Sequence, residues 1–170
     1  MVHFMTDWLV MLYPGVASLV RLHGPIYVTR KTAKWAWMNR FREKYVSEVP
    51  PFEQARQRLL EGGCVGIFVE GTMNRDRKRL LRGFSGAAQL AVDSGCAVVP
   101  VGIRFDSGDG KGRIGDLESF TVEVGERMEP PPVGAGISEI RDWHARIMRA
   151  ISHLSGKSWT TENQRTRYVT

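Results

Sequence analysis

The chain has 170 residues, 42% hydrophobic and 25% charged, with a formal net charge of +6. This is the size and balance of one globular domain, and it excludes a disordered or collagen-like chain. The only cysteines, Cys64 and Cys96, lie too far apart in sequence for a small disulfide scaffold and read as reduced core thiols.

Taken in chain order, the first apolar stretch, Trp8 to Val20, is interrupted by Pro14, Gly15 and Ser18. It falls short of the roughly 20 apolar residues that span a bilayer. No basic leader with a small-residue cleavage site precedes it, so no signal peptide is expected. Pro25 to Thr29 alternates and carries β-formers, predicting a short strand after Gly24. From Lys34 to Val46 the residues Trp35, Met38, Phe41 and Tyr45 recur at spacings of three and four, which predicts an amphipathic helix. Pro50-Pro51 opens a second helix carrying Phe52, Ala55 and Leu59, and Gly62-Gly63 stops it.

Cys64 to Phe68 is a continuous apolar run of the buried-strand kind. A polar, basic loop from Glu70 to Arg82 comes next, then an alanine-rich helix from Ser85 to Asp93 ended by Gly95, then a second buried strand, Ala97 to Val101. Two such strands around a helix make a β-α-β unit and favour a parallel sheet. Asp106 to Asp116 carries four glycines and reads as a surface loop without the spacing of a nucleotide phosphate loop. Phe120 to Val124 is a strand, Pro130 to Pro132 a turn, and Ile137 to Leu154 a closing helix with Ile140, Trp143, Ile147, Ile151 and Leu154 on its core face. Residues 1–155 form one α/β domain on this reading, and 156–170 a polar tail expected to fray.

The positive charge sits in two places. Arg30, Lys31, Lys34, Arg40, Arg42 and Lys44 stand against Glu43 alone, and Arg75, Arg77, Lys78, Arg79 and Arg82 against Asp76 alone, leaving a slightly acidic remainder. Such clusters suit a localised anionic partner: a phospholipid headgroup, a phosphorylated small molecule or nucleic acid. No nucleic-acid reading motif accompanies them, so that partner is not expected. The aromatic residues beside the first cluster suit a helix lying in a headgroup layer, or equally a helix that packs them into the core.

The segment most suggestive of chemistry is Phe68-Val-Glu-Gly-Thr-Met-Asn-Arg-Asp76, where a strand runs into a carboxylate, a glycine, a hydroxyl and a string of cations. Ligands of open α/β sheets bind beyond the carboxyl ends of strands. Gly71 allows close approach of backbone N–H groups to an oxyanion, Thr72 offers a hydroxyl, and Arg75 a planar donor fork. A plain strand-to-loop turn with solvated charges is the alternative.

Three motifs in order resemble those of the glycerophospholipid acyltransferases. Gly24-Pro-Ile-Tyr-Val-Thr-Arg30 is similar to that family's Gly-x-x-Phe-x-x-Arg block, Phe68-Val-Glu-Gly-Thr72 to its Phe-Pro-Glu-Gly-Thr block, and Val98-Val-Pro-Val-Gly-Ile103 to its Val-Pro-Val block. The resemblance covers roughly residues 4–125 and implies a mostly parallel sheet flanked by helices. It implies that an acyl chain passes from acyl-CoA or acyl-carrier protein to a lysophospholipid-like hydroxyl, with no cofactor or metal. Arg30, Glu70, Gly71 and Thr72 would hold the acceptor's polar head, with Arg75 beside them, and Pro100 would shape the acyl-donor side. A peripheral position at the cytoplasmic face of the membrane is implied as well.

The family's His-x-x-x-x-Asp signature is not in its expected place. His3 and Asp7 are separated by three residues, and the sequence around them matches the segment just downstream of the signature in similar proteins, so His3 reads as a strand residue. The expectation is a chain that starts just after the catalytic motif, lacks the first helix and strand, is nearly inactive, and exposes a sheet edge or apolar patch. A module that binds lipid headgroups without catalysis is the alternative. Val69 replaces a proline, Met73 an arginine, and Asp7 stands near a usual lysine. Arg75 or Arg77 would have to replace the lost cations, unless the acceptor lacks a phosphomonoester. His23, His144 and His153 read as structural or surface residues.

Overall fold

Frequent glycines and prolines cut the first 68 residues into short pieces, and the computed structural model, which describes residues 1–13, 15–105, 113–115 and 117–162, shows how they assemble. The chain divides into two compact units, Met1–Phe68 and Val69–Thr170.

In the first unit, strand β1 (Val2–Asp7) lies between β2 (Ile26–Val28) and β3 (Cys64–Gly66), and both pairings are parallel. Met5 stands opposite Ile26, and Val2 opposite Cys64. Parallel neighbours need crossovers. After a 3₁₀ turn over Trp8–Leu12, helix α1 (Val16–Arg21) makes the first; helix α2 (Pro51–Leu60) leads back into β3. Pro51 sits in the first turn of α2, where a missing N–H costs nothing, and the Glu61-Gly62-Gly63 turn ends it as the sequence predicts. Trp8 is fully buried and its indole N–H donates to the Lys31 carbonyl at 2.8 Å, anchoring the chain that leaves β2.

Two expectations change in this unit. The segment from Lys34 to Val46 is a 3₁₀ helix over Ala36–Tyr45 with no buried residue. Apolar residues spaced by three suit a 3₁₀ helix, and a mixture of threes and fours does not separate it from an α-helix. Cys64 to Phe68 is not a buried strand: its regular part stops at Gly66, Cys64 is exposed rather than a core thiol, and Phe68 is exposed although its ring stacks on Phe4. Gly66 is required here, because a methyl group on it would stand 2.5 Å from the Phe4 ring.

In the second unit, helix α3 (Gly86–Ser94) and helix α4 (Ile137–Ser155) enclose the core, built on Ala88, Val92, Ile140, Trp143 and Ile147. The stripe predicted on the closing helix is thus its buried face. Strands β4 (Val101–Phe105) and β5 (Phe120–Val124) form an antiparallel pair with Val101 opposite Val124 and Phe105 opposite Phe120. The β-α-β unit expected between Cys64–Phe68 and Ala97–Val101 does not form a ladder: β3 pairs with β1, and β4 with β5. Val98 instead makes an isolated bridge to Met128.

Gly102 faces α4 so closely that a methyl group on it would meet the Leu154 backbone at 2.5 Å. Alternation then turns Val101, Ile103 and Phe105, with Val124, Val122 and Phe120 opposite them, to the other face. Val101, Phe120, Val122 and Val124 are exposed there. The tail does not fray at Gly156. Lys157 is buried, and Ser158 exchanges backbone bonds with the loop, donating to the Lys78 carbonyl and accepting from Leu80 N–H. The glycine-rich stretch read as a loop, Asp106 to Asp116, falls largely outside the described residues.

Candidate functional site

The loop after Val69 is organised by its own acids. Glu70 Oε1 accepts from the Leu81 backbone N–H at 2.6 Å and from Asn74 Nδ2 at 2.8 Å, closing the loop onto its own beginning across a separation of 11 residues. Asn74 Nδ2 also reaches the Arg79 carbonyl at 2.8 Å, and its Oδ1 accepts from Asp76 N. Asp76 Oδ1 accepts from the backbone of Lys78 and Arg79. A short carboxylate or amide that bonds backbone two or three residues on makes the turn that regular structure would otherwise supply.

Gly71 has φ of +64°, and a methyl group there would stand 2.6 Å from Phe84. Phe84 N–H donates to the Val69 carbonyl at 2.8 Å, so the ring is fixed over the turn. Both left-handed backbone and lack of space demand glycine. Gly71, Thr72 and Met73 are exposed at the rim.

Two basic side chains of this loop, Arg75 and Arg77, are engaged. Arg75 Nη1 donates to the Ile114 carbonyl at 2.9 Å, and Ile114 N–H returns a bond to Arg75 O at 3.0 Å. Arg77 forms a two-pronged pair with Glu118, with both side chains nearly out of water. Lys157, which sequence alone places in a polar tail, donates from Nζ to the Asp76 carbonyl at 2.6 Å. Burial lowers its pKa, against the opposing pull of Glu70 and Asp76. A cavity of about 320 Å³ beside it is lined by Arg77, Lys78, Arg104, Phe105, Ser155 and Gly156 among the described residues.

The candidate residues therefore fall in two places. Glu70, Gly71, Thr72 and Arg75 share one loop of the second unit, with Pro100, buried just before β4, elsewhere in that unit. Pro100 accepts a bond from Gly125 N–H at 2.9 Å and so holds β5 at its end. Arg30 is exposed after β2 in the first unit. The missed residue, Lys157, had only one sequence clue: a lysine beside Ser158 and Trp159 at the start of the tail.

His3 and Asp7 do not form a pair. His3 lies on β1, and its Nδ1–H donates to the Gly24 carbonyl at 2.9 Å. Asp7 lies four strand residues on, about 13 Å away at the usual rise. It caps Leu9 N–H at 3.0 Å and pairs with Lys31 at 3.4 Å. His23 holds the Leu19 carbonyl, and His144 reaches the Arg82 carbonyl with its ring edge-on to Trp159. Both hold structure, as the sequence suggests. Among the described residues no group of three or more histidine, cysteine or acidic side chains is placed to hold a metal, and no helix is long and apolar enough to cross a membrane.

The family model described as Acyltransferase matches residues 1–104. The fold is similar to the crystal structure of the 1-acyl-sn-glycerophosphate (LPA) acyltransferase, PlsC, from Thermotoga maritima, with a TM-score of 0.57 at 18% identity. The match takes in 93% of this chain and 58% of that one, so the chain spans under two thirds of its length. No curated protein matches the chain.

Proposed function

Because the chain belongs to the acyltransferase family, we propose that it is an O-acyltransferase domain that moves a fatty acyl chain from a CoA or acyl-carrier-protein thioester to a lysophospholipid-like hydroxyl. The observation that carries the reading is the extent of the family match, which takes in all three motif segments, 24–30, 68–72 and 98–103. In such a transfer the hydroxyl oxygen attacks the thioester carbonyl, a C–O bond forms as the C–S bond breaks, a base takes the hydroxyl proton, and thiol leaves. The resemblance assigns acceptor-holding roles to Arg30 and to the Glu70-Gly71-Thr72 turn, with Arg75 beside that turn, and a donor-side role to Pro100. A thioester in water and a lipid in the bilayer meet at the membrane surface, so the reading includes a peripheral position at its cytoplasmic face.

His3 and Asp7 do not supply the proton acceptor. His3 commits Nδ1–H to Gly24, and Asp7 is out of reach and engaged elsewhere. That geometry favours a second reading, a module that binds lipid headgroups without turnover. Losing a general base costs about 10²- to 10⁴-fold in rate.

Thiol release with acyl-CoA or acyl-carrier protein, and with lysophosphatidic acid, lysophosphatidylcholine or monoacylglycerol as acceptor, tests both readings. The expected result is saturable acceptor binding, weakened by Arg30→Ala, with thiol release slower than in a His/Asp-bearing relative by about that factor. Rapid release abolished by His3→Ala would overturn the assignment of the base. Absence of acceptor binding would overturn the function.

A further inference from the structure

The basic residues from Lys34 to Lys44 and the aromatic residues among them play no part in the site above. They lie between β2 and α2, on the 3₁₀ helix Ala36–Tyr45 and the residues leading into it. In a 3₁₀ helix residues three apart eclipse one another, so side chains sort into three rows. Asn39, Arg42 and Tyr45 form the row turned toward the first unit. Asn39 Oδ1 accepts from Ala33 N–H at 2.7 Å, and Tyr45 packs against Trp8 and Tyr27.

The other two rows carry Trp37, Arg40 and Glu43, and Trp35, Met38, Phe41 and Lys44, so one carboxylate stands among the cations. Trp35 and Trp37 are 61% and 55% exposed. Arg40 lies over the rings of Trp37 and Phe41, at 5.7 and 4.9 Å, and Lys44 over Phe41 at 5.6 Å. Among the described residues, no carboxylate forms an ion pair with Lys34, Arg40, Arg42 or Lys44, whereas Lys31, Arg56, Arg58 and Arg127 each have one.

We propose that this aromatic and cationic face, Lys34–Lys44, is the surface by which the chain docks on a bilayer rich in anionic phospholipid. Trp35 and Trp37 enter the interfacial layer, where an amphipathic ring is at home. Lys34, Arg40 and Lys44 meet headgroup phosphates, their apolar stems lying along the rings. Charge complementarity selects the occupant: unpaired cations need a dense anionic surface, and two exposed indoles are superfluous for a nucleic-acid backbone. The proposal rests on the reading above only for the acceptor being a membrane lipid.

Flotation of the intact chain with vesicles of equal phosphatidylglycerol and phosphatidylcholine, against vesicles of phosphatidylcholine alone, tests it, with tryptophan emission as a second readout. Binding to the anionic vesicles is expected, falling with salt, together with a blue shift and quenching by brominated lipid. Arg40→Ser with Lys44→Ser should weaken binding about twenty-five-fold, at about fivefold per cation. Trp35→Ser with Trp37→Ser should weaken it about tenfold and remove the blue shift. Arg127→Ser, which deletes a cation elsewhere, should leave it within about twofold. Equal binding to both vesicles, no quenching in the parent chain, double variants that bind like the parent, or tighter binding to duplex DNA at equal phosphate would each overturn the proposal. Thiol release with a short-chain acceptor below its micellar concentration needs no vesicle, so failure here and failure of the transferase reading remain separate results.

Discussion

The two basic clusters resemble each other in sequence and differ in structure. In the loop from Glu70 to Arg82, two of the five cations are bound into the structure, Arg77 by Glu118 and Arg75 by the Ile114 carbonyl, while Asp76 turns the backbone. In the segment from Lys34 to Lys44 the cations form no ion pair among the described residues and lean on aromatic rings instead. The first arrangement uses charge to fix a fold, and the second keeps it available to a partner. Counting lysines and arginines does not separate the two, because the deciding carboxylate, Glu118, lies 41 residues from the arginine it holds.

The largest expected effect comes from that pair. The Arg77 and Glu118 side chains are only 13% and 12% exposed, so Arg77→Met should leave a carboxylate stranded and lower stability by about 3 kcal/mol in urea denaturation. If the loss is below about 0.5 kcal/mol, the two clusters do not differ as described. Next comes Glu70→Ala, which deprives Leu81 N–H and Asn74 of their acceptor and should cost about 2–3 kcal/mol. Gly71→Ala should cost about 2 kcal/mol, and pairing it with Phe84→Ala should recover the steric part while leaving about 1 kcal/mol of backbone strain.

Lys157 sharpens the contrast through pH. Its pKa is below the ordinary 10.5 because burial disfavours the ammonium. Between the folded and unfolded values the unfolded chain binds more protons, so this group makes stability rise with pH there. Below the folded value its contribution is flat and unfavourable. Denaturation at intervals up to pH 10 should show that slope, and Lys157→Met should flatten it. Tyr27, whose pKa burial raises above 10.0, acts in the opposite direction only at higher pH. The smallest effect belongs to the first cluster: Arg40→Ser with Lys44→Ser should change stability by no more than about 0.5 kcal/mol.

Much of the order of elements was legible because it rests on local chemistry. Gly62-Gly63 ends α2 and Gly95 ends α3, and the apolar stripe from Ile140 to Ile151 faces the core. The misjudged features depend on what lies opposite in space. An apolar run such as Cys64 to Phe68 reads the same whether or not anything covers it, and Val101 to Phe105 alternates its faces around Gly102 with the apolar one left outside. At the candidate site the turn Glu70-Gly71-Thr72 was visible as a motif. The service Glu70 performs for Leu81 was not, since it requires the intervening loop to close. Lys157 was hidden for the same reason, its acceptor being 81 positions away.

The backbone exchange between Ser158 and the loop has a consequence in time. Ser158 N–H donates to the Lys78 carbonyl at 2.7 Å and its hydroxyl to the same oxygen at 3.0 Å, across 80 residues of sequence, while Leu80 N–H returns a bond to Ser158. A ribosome adding about 5–20 residues per second needs several seconds to cover that interval. The nascent chain thus lacks this second fastening of the loop while α3, both strands of the hairpin and α4 are made, and only the local bonds of Glu70 and Phe84 hold the turn until Ser158 emerges.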